Sequence, residues 1–188
     1  MFKRGFKSWC ERFATDKRQE LGLSSSDPLD ARLLAENLGI KVWTPHDVPG
    51  LTQEHLNILL HNDGKTASDW SAVTLIVEDI KLVILNSSHS LGRQSSDLMH
   101  ELSHLILDHQ SQEMNASSEG VLMLSAYEKD QEDEADWLSG CLLLPREALV
   151  SIMKQRLDLT IAASDFRVSM SMLKYRMSMT GVARQYTY

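Results

Sequence analysis

The chain has 188 residues, 43% hydrophobic and 24% charged, with a formal net charge of −7. That length suits one domain, or one domain with a small appendage, built on a real hydrophobic core. The acidic balance argues against wholesale wrapping by nucleic acid, and two cysteines make neither a disulfide framework nor a four-thiolate metal site.

The opening "MFKRGFKSWCERF" is basic but has no apolar run behind it, so it does not read as a secretory signal. Phe6 to Leu21 reads as a charged amphipathic helix whose apolar marks are Phe6, Trp9, Phe13 and Leu21. After the serine-rich linker "LSSSDP", "DPLDARLLAENLG" predicts a second helix with Asp27 as N-cap, Pro28 in the first turn and Gly39 at its end. "IKVW" reads as a short strand, "LTQEHLNILLH" as a helix capped by Thr52, and "NDGK" as a turn. "SAVTLIV" and "KLVIL", separated by "EDI", predict a hairpin. Glu78, Asp79 and Lys81 break the apolar run there, so no segment reads as a bilayer span. With free cysteines suited to a reducing compartment, the expected location is the cytoplasm.

Asn86 to Gln94 reads as a polar loop. It feeds a helix capped by Ser95 or Ser96 that runs to about Asp108. The connector "QSQEMNASSEG" then leads to an acidic helix starting near Glu128 and continuing to Pro145, which opens a further helix. Thr160 to Phe166 and Ser169 to Met179 read as two short helices joined by a tight turn. The expected architecture is α+β and mainly helical, with a small antiparallel sheet and a helical C-terminal lobe.

The chemistry concentrates in "DLMHELSHLILDH", Asp97 to His109. Side chains four apart on a helix share a face, so His100 and His104 can aim both rings at one point, about 2.0–2.1 Å from a zinc ion. Glu101 lies about 100° round the helix, placed to take a proton from zinc-bound water rather than to join the ligands. Leu98, Leu102, Leu105 and Ile106 make the helix amphipathic. Burying two histidines and a glutamate there without partners would be costly. A third histidine six residues after the second would fall at Gln110, so the metzincin spacing fails. His109 falls one residue short and, with no glycine turn, is expected to be carried away from the metal. The third ligand is better sought on the acidic helix. Glu132 could ligate while Asp136, four residues on, accepts the free N–H of His100; Glu134 competes for the ligand role from about 200° round the helix. Residues 1–150 are thus expected to form a zincin-like peptidase domain including the N-terminal helical segment, and 151–188 a small helix-turn-helix-like lobe.

These residues are similar to those of the ImmA/IrrE family of metallopeptidases. The likeness runs from about Phe6 to Gln185 and includes "ILNSSHSLGRQSSDLMHELSHLILDH" and "EDEADWLSGCLLLP". The HExxH pattern alone is shared by many zinc peptidases; its combination with E-x-x-A-D and LLxP is much more specific. In the family's motif the third ligand stands three residues before the alanine, here Ala135, so the resemblance selects Glu132. Trp137-Leu138 stands where the family often has Phe-Ala, a change expected to alter packing rather than chemistry. The resemblance further implies a gluzincin-like site with Zn2+ as cofactor. It also implies a protein substrate of the helix-turn-helix repressor class, often encoded nearby.

The expected activity is a zinc-dependent endopeptidase, with Glu101 as base, that relieves repression by cleaving such a repressor. Tyr127, His109 and Arg93 are candidates for stabilising the oxyanion, and the strand ending at Asn86 is a candidate edge for pairing with substrate. One rival is a non-catalytic zinc-containing module that sequesters a repressor. Another is direct DNA contact through the C-terminal lobe, where Lys154, Arg156, Arg167, Lys174, Arg176 and Arg184 outnumber Asp158 and Asp165. Val168, Met170, Leu173 and Met177 have the apolar spacing of a packed helix, so direct nucleic-acid binding is the weaker expectation.

Overall fold

The computed structural model describes residues 2–61, 68–77, 79–109 and 127–186, and of Val77 only the backbone. The turn read at Asn62–Lys65 and the connector at Gln110–Gly120 lie outside the described residues. Helix α1 (Phe6–Glu20) is followed by α2 (Ala31–Asn37), strand β1 (Lys41–Trp43), a 3-10 turn (Pro45–Asp47) and α3 (Gln53–Leu59). Strands β2 (Ala72–Val77) and β3 (Ile80–Leu85) lead into α4 (Leu91–Ile106). Among the described residues, five helices follow: α5 (Lys129–Leu143), α6 (Arg146–Lys154), α7 (Leu159–Asp165), α8 (Met170–Thr180) and α9 (Val182–Gln185). The fold is mainly helical α+β, as expected. No helix among the described residues is long and apolar enough to cross a membrane.

The sheet is not wholly antiparallel. β2 and β3 form the expected antiparallel hairpin, but β1 pairs parallel to β3, in the order β1-β3-β2. The tight hairpin takes one side of β3. β1 reaches the other side through the long connection that contains α3, and such a connection permits the parallel direction. β3 is therefore the central strand and β2 an edge. Val83 and Leu85, alternate residues of β3, are buried on the side that meets the helices.

Two helix starts differ from the sequence reading. Asp30, not Asp27, caps α2 by accepting from the Arg32 N–H at 2.8 Å, while Asp27 accepts from the Ser24 N–H at 2.8 Å. Ser90 caps α4 by accepting from the Arg93 N–H, so Leu91 to Gln94 are helical rather than loop. The earlier start gives α4 another turn, and Gly92 in it lies against the backbone after α7. A Cβ at Gly92 would stand 2.7 Å from the Val168 carbonyl oxygen, a backbone atom that cannot swing aside. Gly92→Ala is accordingly expected to cost about 1–3 kcal/mol of stability, read as a lower urea midpoint.

Leu98, Met99 and Leu102 of α4 are at most 1% exposed and pack with Leu138, Cys141 and Leu142 of α5. At roughly 1.5–3 kcal/mol for each fully buried apolar side chain, this contact fixes the two helices that carry the candidate site. Behind them α1 presents Cys10, Ala14 and Arg18 to α5, whereas its expected apolar marks Phe6, Trp9 and Phe13 form a partly buried aromatic row. The same core takes in Ala162, Phe166, Val168, Leu173 and Met177 of the C-terminal segment.

Two arginines are fully buried, and both address the C-terminal end of α5, where helix carbonyls lack intrahelical partners. Arg18 donates through Nη2 to the Leu142 carbonyl at 2.6 Å and through Nη1 to the Ala14 carbonyl at 3.2 Å. Arg176 donates through Nε to the Leu144 carbonyl at 3.0 Å and through Nη2 to Glu11 Oε1 at 2.7 Å. Positive charge there also complements the negative end of the helix dipole.

Candidate metal centre

α4 and α5 pack side by side, and the histidine pair faces the first turns of α5. His100 and His104, one turn apart, bring their Nε2 atoms to 3.0 Å from each other. Glu132 Oε2 lies 3.1 Å from His100 Nε2 and 3.9 Å from His104 Nε2. Donor atoms about 2.0–2.1 Å from one centre in a tetrahedron stand about 3.3–3.4 Å apart, and the three observed separations bracket that edge. Two imidazoles and a carboxylate are also the donor set of one kind of catalytic zinc site. Among the described residues, His100, His104 and Glu132 make a group that could hold a metal ion.

The surroundings prepare the two rings differently. Asp136 Oδ1 lies 3.0 Å from His100 Nδ1, where a carboxylate must accept, leaving the Nε2 lone pair to the focus. Burial alone would lower the His100 pKa, but the bond to Asp136 and the charges of Asp136, Glu101 and Glu132 raise it overall. His104 has a side chain only 1% exposed. Burial, joined by the nearby His100 and His109, pushes its pKa down to about 3, so its ring is neutral near pH 7. Tyr127 stacks flat on that ring, with centroids 3.6 Å apart and planes 12° from parallel.

Glu101 points to the sheet side of the focus. Its Oε2 accepts from the Thr74 hydroxyl of the edge strand β2. Burial holds its carboxyl above the usual range, although the Thr74 bond and His100 pull the other way. The Tyr127 phenol is pushed up to about 12 by burial and by the charges of Glu101 and Glu132, so it keeps its proton.

The remaining sequence candidates separate. Arg93 lies two turns before His100, where it donates to Ser71 Oγ at 3.1 Å and sits 3.6 Å from Asp97. Glu134 does not reach the focus; its Oε2 lies 3.3 Å from His109 Nε2. His109, expected to be carried away from the metal, is not one of the three donors, but it is folded back onto the outer side of His104, with Nδ1 at 2.9 Å from His104 Nδ1. Asp108 makes that return possible by adopting φ +53°, the left-handed conformation more usual for glycine. Its ability to do so is the signal missed in the sequence, because aspartate enters this region more readily than most side chains. Thr74 was missed for another reason: nothing local in a strand indicates which helix residue it will meet.

Residues 35–178 match the family described as Peptidase_M78, IrrE N-terminal-like domain. No curated protein matches the chain. A solved structure, a Mycobacterium tuberculosis transcriptional regulator, is similar with a TM-score of 0.54 and 19% sequence identity, over 99% of this chain and 50% of that one. The chain thus spans half the length of that structure, and at this identity the likeness concerns the fold alone. A match that contains both histidines, the glutamate between them and the acidic helix is what the ImmA/IrrE resemblance anticipated: the chain belongs to the Peptidase_M78 family, with an IrrE N-terminal-like domain.

Proposed function

We propose that the chain is a zinc-dependent endopeptidase that cleaves a protein substrate, with His100, His104 and Glu132 as metal ligands and Glu101 as the general base. The observation that carries this reading is the Glu101 carboxylate, anchored by Thr74 beside a three-donor focus that it does not itself complete. When bound, the ion supplies Lewis acidity, polarising the scissile carbonyl and acidifying water towards neutral pH. Glu101 takes the proton of the attacking water and passes it to the departing amine. Tyr127, protonated and stacked on His104, is the candidate donor to the developing oxyanion. An extended substrate segment would add to β2, the edge strand among the described residues, rather than to the central β3, and would there lie beside Glu101, which Thr74 of that strand contacts.

The proposed substrate is a helix-turn-helix transcriptional repressor encoded nearby, as the family resemblance implies, and cleavage would relieve repression in the cytoplasm. The rival reading, a zinc-containing module that only sequesters the repressor, leaves Glu101 without a purpose. Direct DNA contact loses one of its six basic side chains to the fold, since Arg176 is buried, and a second, the exposed Arg167, already pairs with Asp30 at 2.6 Å.

Co-incubation with the neighbouring regulator discriminates among these readings. Zinc-loaded protein is expected to cut it, and a chelator to stop the cut; an intact partner that stays bound in both conditions would establish the module instead. Metal analysis supplies a second check. Glu132→Ala should lose the stoichiometric zinc of the wild type, because two imidazoles alone leave the site a protein ligand short.

A further inference from the structure

His104 and His109 face each other through like atoms, Nδ1 to Nδ1 at 2.9 Å. One nitrogen of such a pair must donate and the other accept. If His109 donated, His104 would carry its own proton on Nε2, aimed into the metal focus and blocking coordination. If His104 donates, its Nε2 is a bare lone pair directed at His100 Nε2 and Glu132.

The far side of His109 decides between the two. Glu134 Oε2, 3.3 Å from His109 Nε2, can only accept when ionised, so it draws the His109 proton to Nε2. With its proton at Nε2, His109 presents Nδ1 as an acceptor to His104. We propose that His109 and Glu134 are positioning residues that fix the tautomer and orientation of the second metal ligand. The pairing extends to His104 what Asp136 does directly for His100.

The local structure is built for this arrangement. α4 ends at Ile106, Asp108 turns left-handed, and the His109 N–H closes on the His104 carbonyl at 3.0 Å. That closure has the Schellman form, and it folds the ring of His109 back beside His104. The His109 side chain is only 7% exposed, so the bond is shielded from competing water. Glu134 stands about 200° round α5 from Glu132, and the separation divides the work: Glu132 meets the focus and Glu134 meets the outer histidine.

The proposal rests on His104 being a ligand, so its test must separate the two claims. Zn2+ affinity of the full chain would be measured by competition with a chelator for the wild type, His109→Ala, His109→Gln, Glu134→Ala and His104→Ala. Nitrogen-15 spectra of the His104 ring, recorded without metal, would report its tautomer. His109→Ala is expected to weaken zinc binding about 10–100-fold and to populate the Nε2–H form of His104. His109→Gln should retain most of the affinity, since its amide can accept from His104 and donate to Glu134. Glu134→Ala lies on a helix that tolerates alanine, and it should move both readouts the same way even if His109→Ala does not fold. Wild-type affinity and an unchanged tautomer in His109→Ala and Glu134→Ala would overturn the proposal while His104→Ala still lost zinc. Wild-type affinity in His104→Ala would instead remove the ligand assignment beneath it.

Discussion

Glu101→Gln is expected to keep its metal and lose its hydrolysis. The amide has the shape of the carboxylate and can still accept from Thr74, while His100, His104 and Glu132 remain untouched. What disappears is the site that receives a proton from water and returns it to the leaving amine, a function worth typically 10²–10⁴-fold in rate. Metal content per chain and cleavage of the partner protein, measured on the same preparation, give the two halves of the result. Full cleavage by the metal-loaded variant would remove Glu101 from the proton-transfer role and leave the focus as a binding site alone.

A large effect on stability is expected away from the chemistry, at Arg18. Its removal leaves the Leu142 and Ala14 carbonyls without their charged donor in a buried place. Each charge-assisted hydrogen bond is worth about 1.5–3 kcal/mol. Burial, however, holds the Arg18 pKa down to about 10 against the pull of Glu11 and Asp27, so keeping this charge inside is itself costly. The net loss for Arg18→Ala is therefore set at about 2–4 kcal/mol, less than the sum of its bonds. Urea unfolding would measure it, and an unchanged midpoint would show that the desolvation cost cancels the bonds. Since Arg18 bonds the C-terminal end of α5, while Glu132 sits in its first turn and Asp136 at its middle, metal affinity in the surviving folded fraction should change little.

The features legible in the sequence are those with a local period. A four-residue spacing places His100 above His104 on any helix, and the apolar run after Asp136 marks α5 as a buried helix. The Glu132–Asp136 spacing likewise puts both carboxylates on one face, and in the structure they meet the two nitrogens of His100. The hairpin was legible because β-branched alternation and a short turn are neighbours in the chain. Helix starts were less so: the serines and aspartates before α2 and α4 offer several caps each, and packing chose Asp30 and Ser90.

By itself, then, the amino-acid order determined that two imidazoles on one helix would face a common side with a carboxylate about 100° round from the first, and that an acidic helix would supply their complement. Only the tertiary structure decided that β1 would run parallel to β3, that β2 would be the edge beside Glu101, and that His109 would turn back onto His104. It also decided that a charged Arg18 would occupy the interior. The division has one physical cause. Helical and strand periods repeat over a few residues and act before the chain is compact. Strand order, a left-handed aspartate and a buried guanidinium gain their free energy only from groups distant in sequence, such as Leu142 for Arg18 and Glu134 for His109.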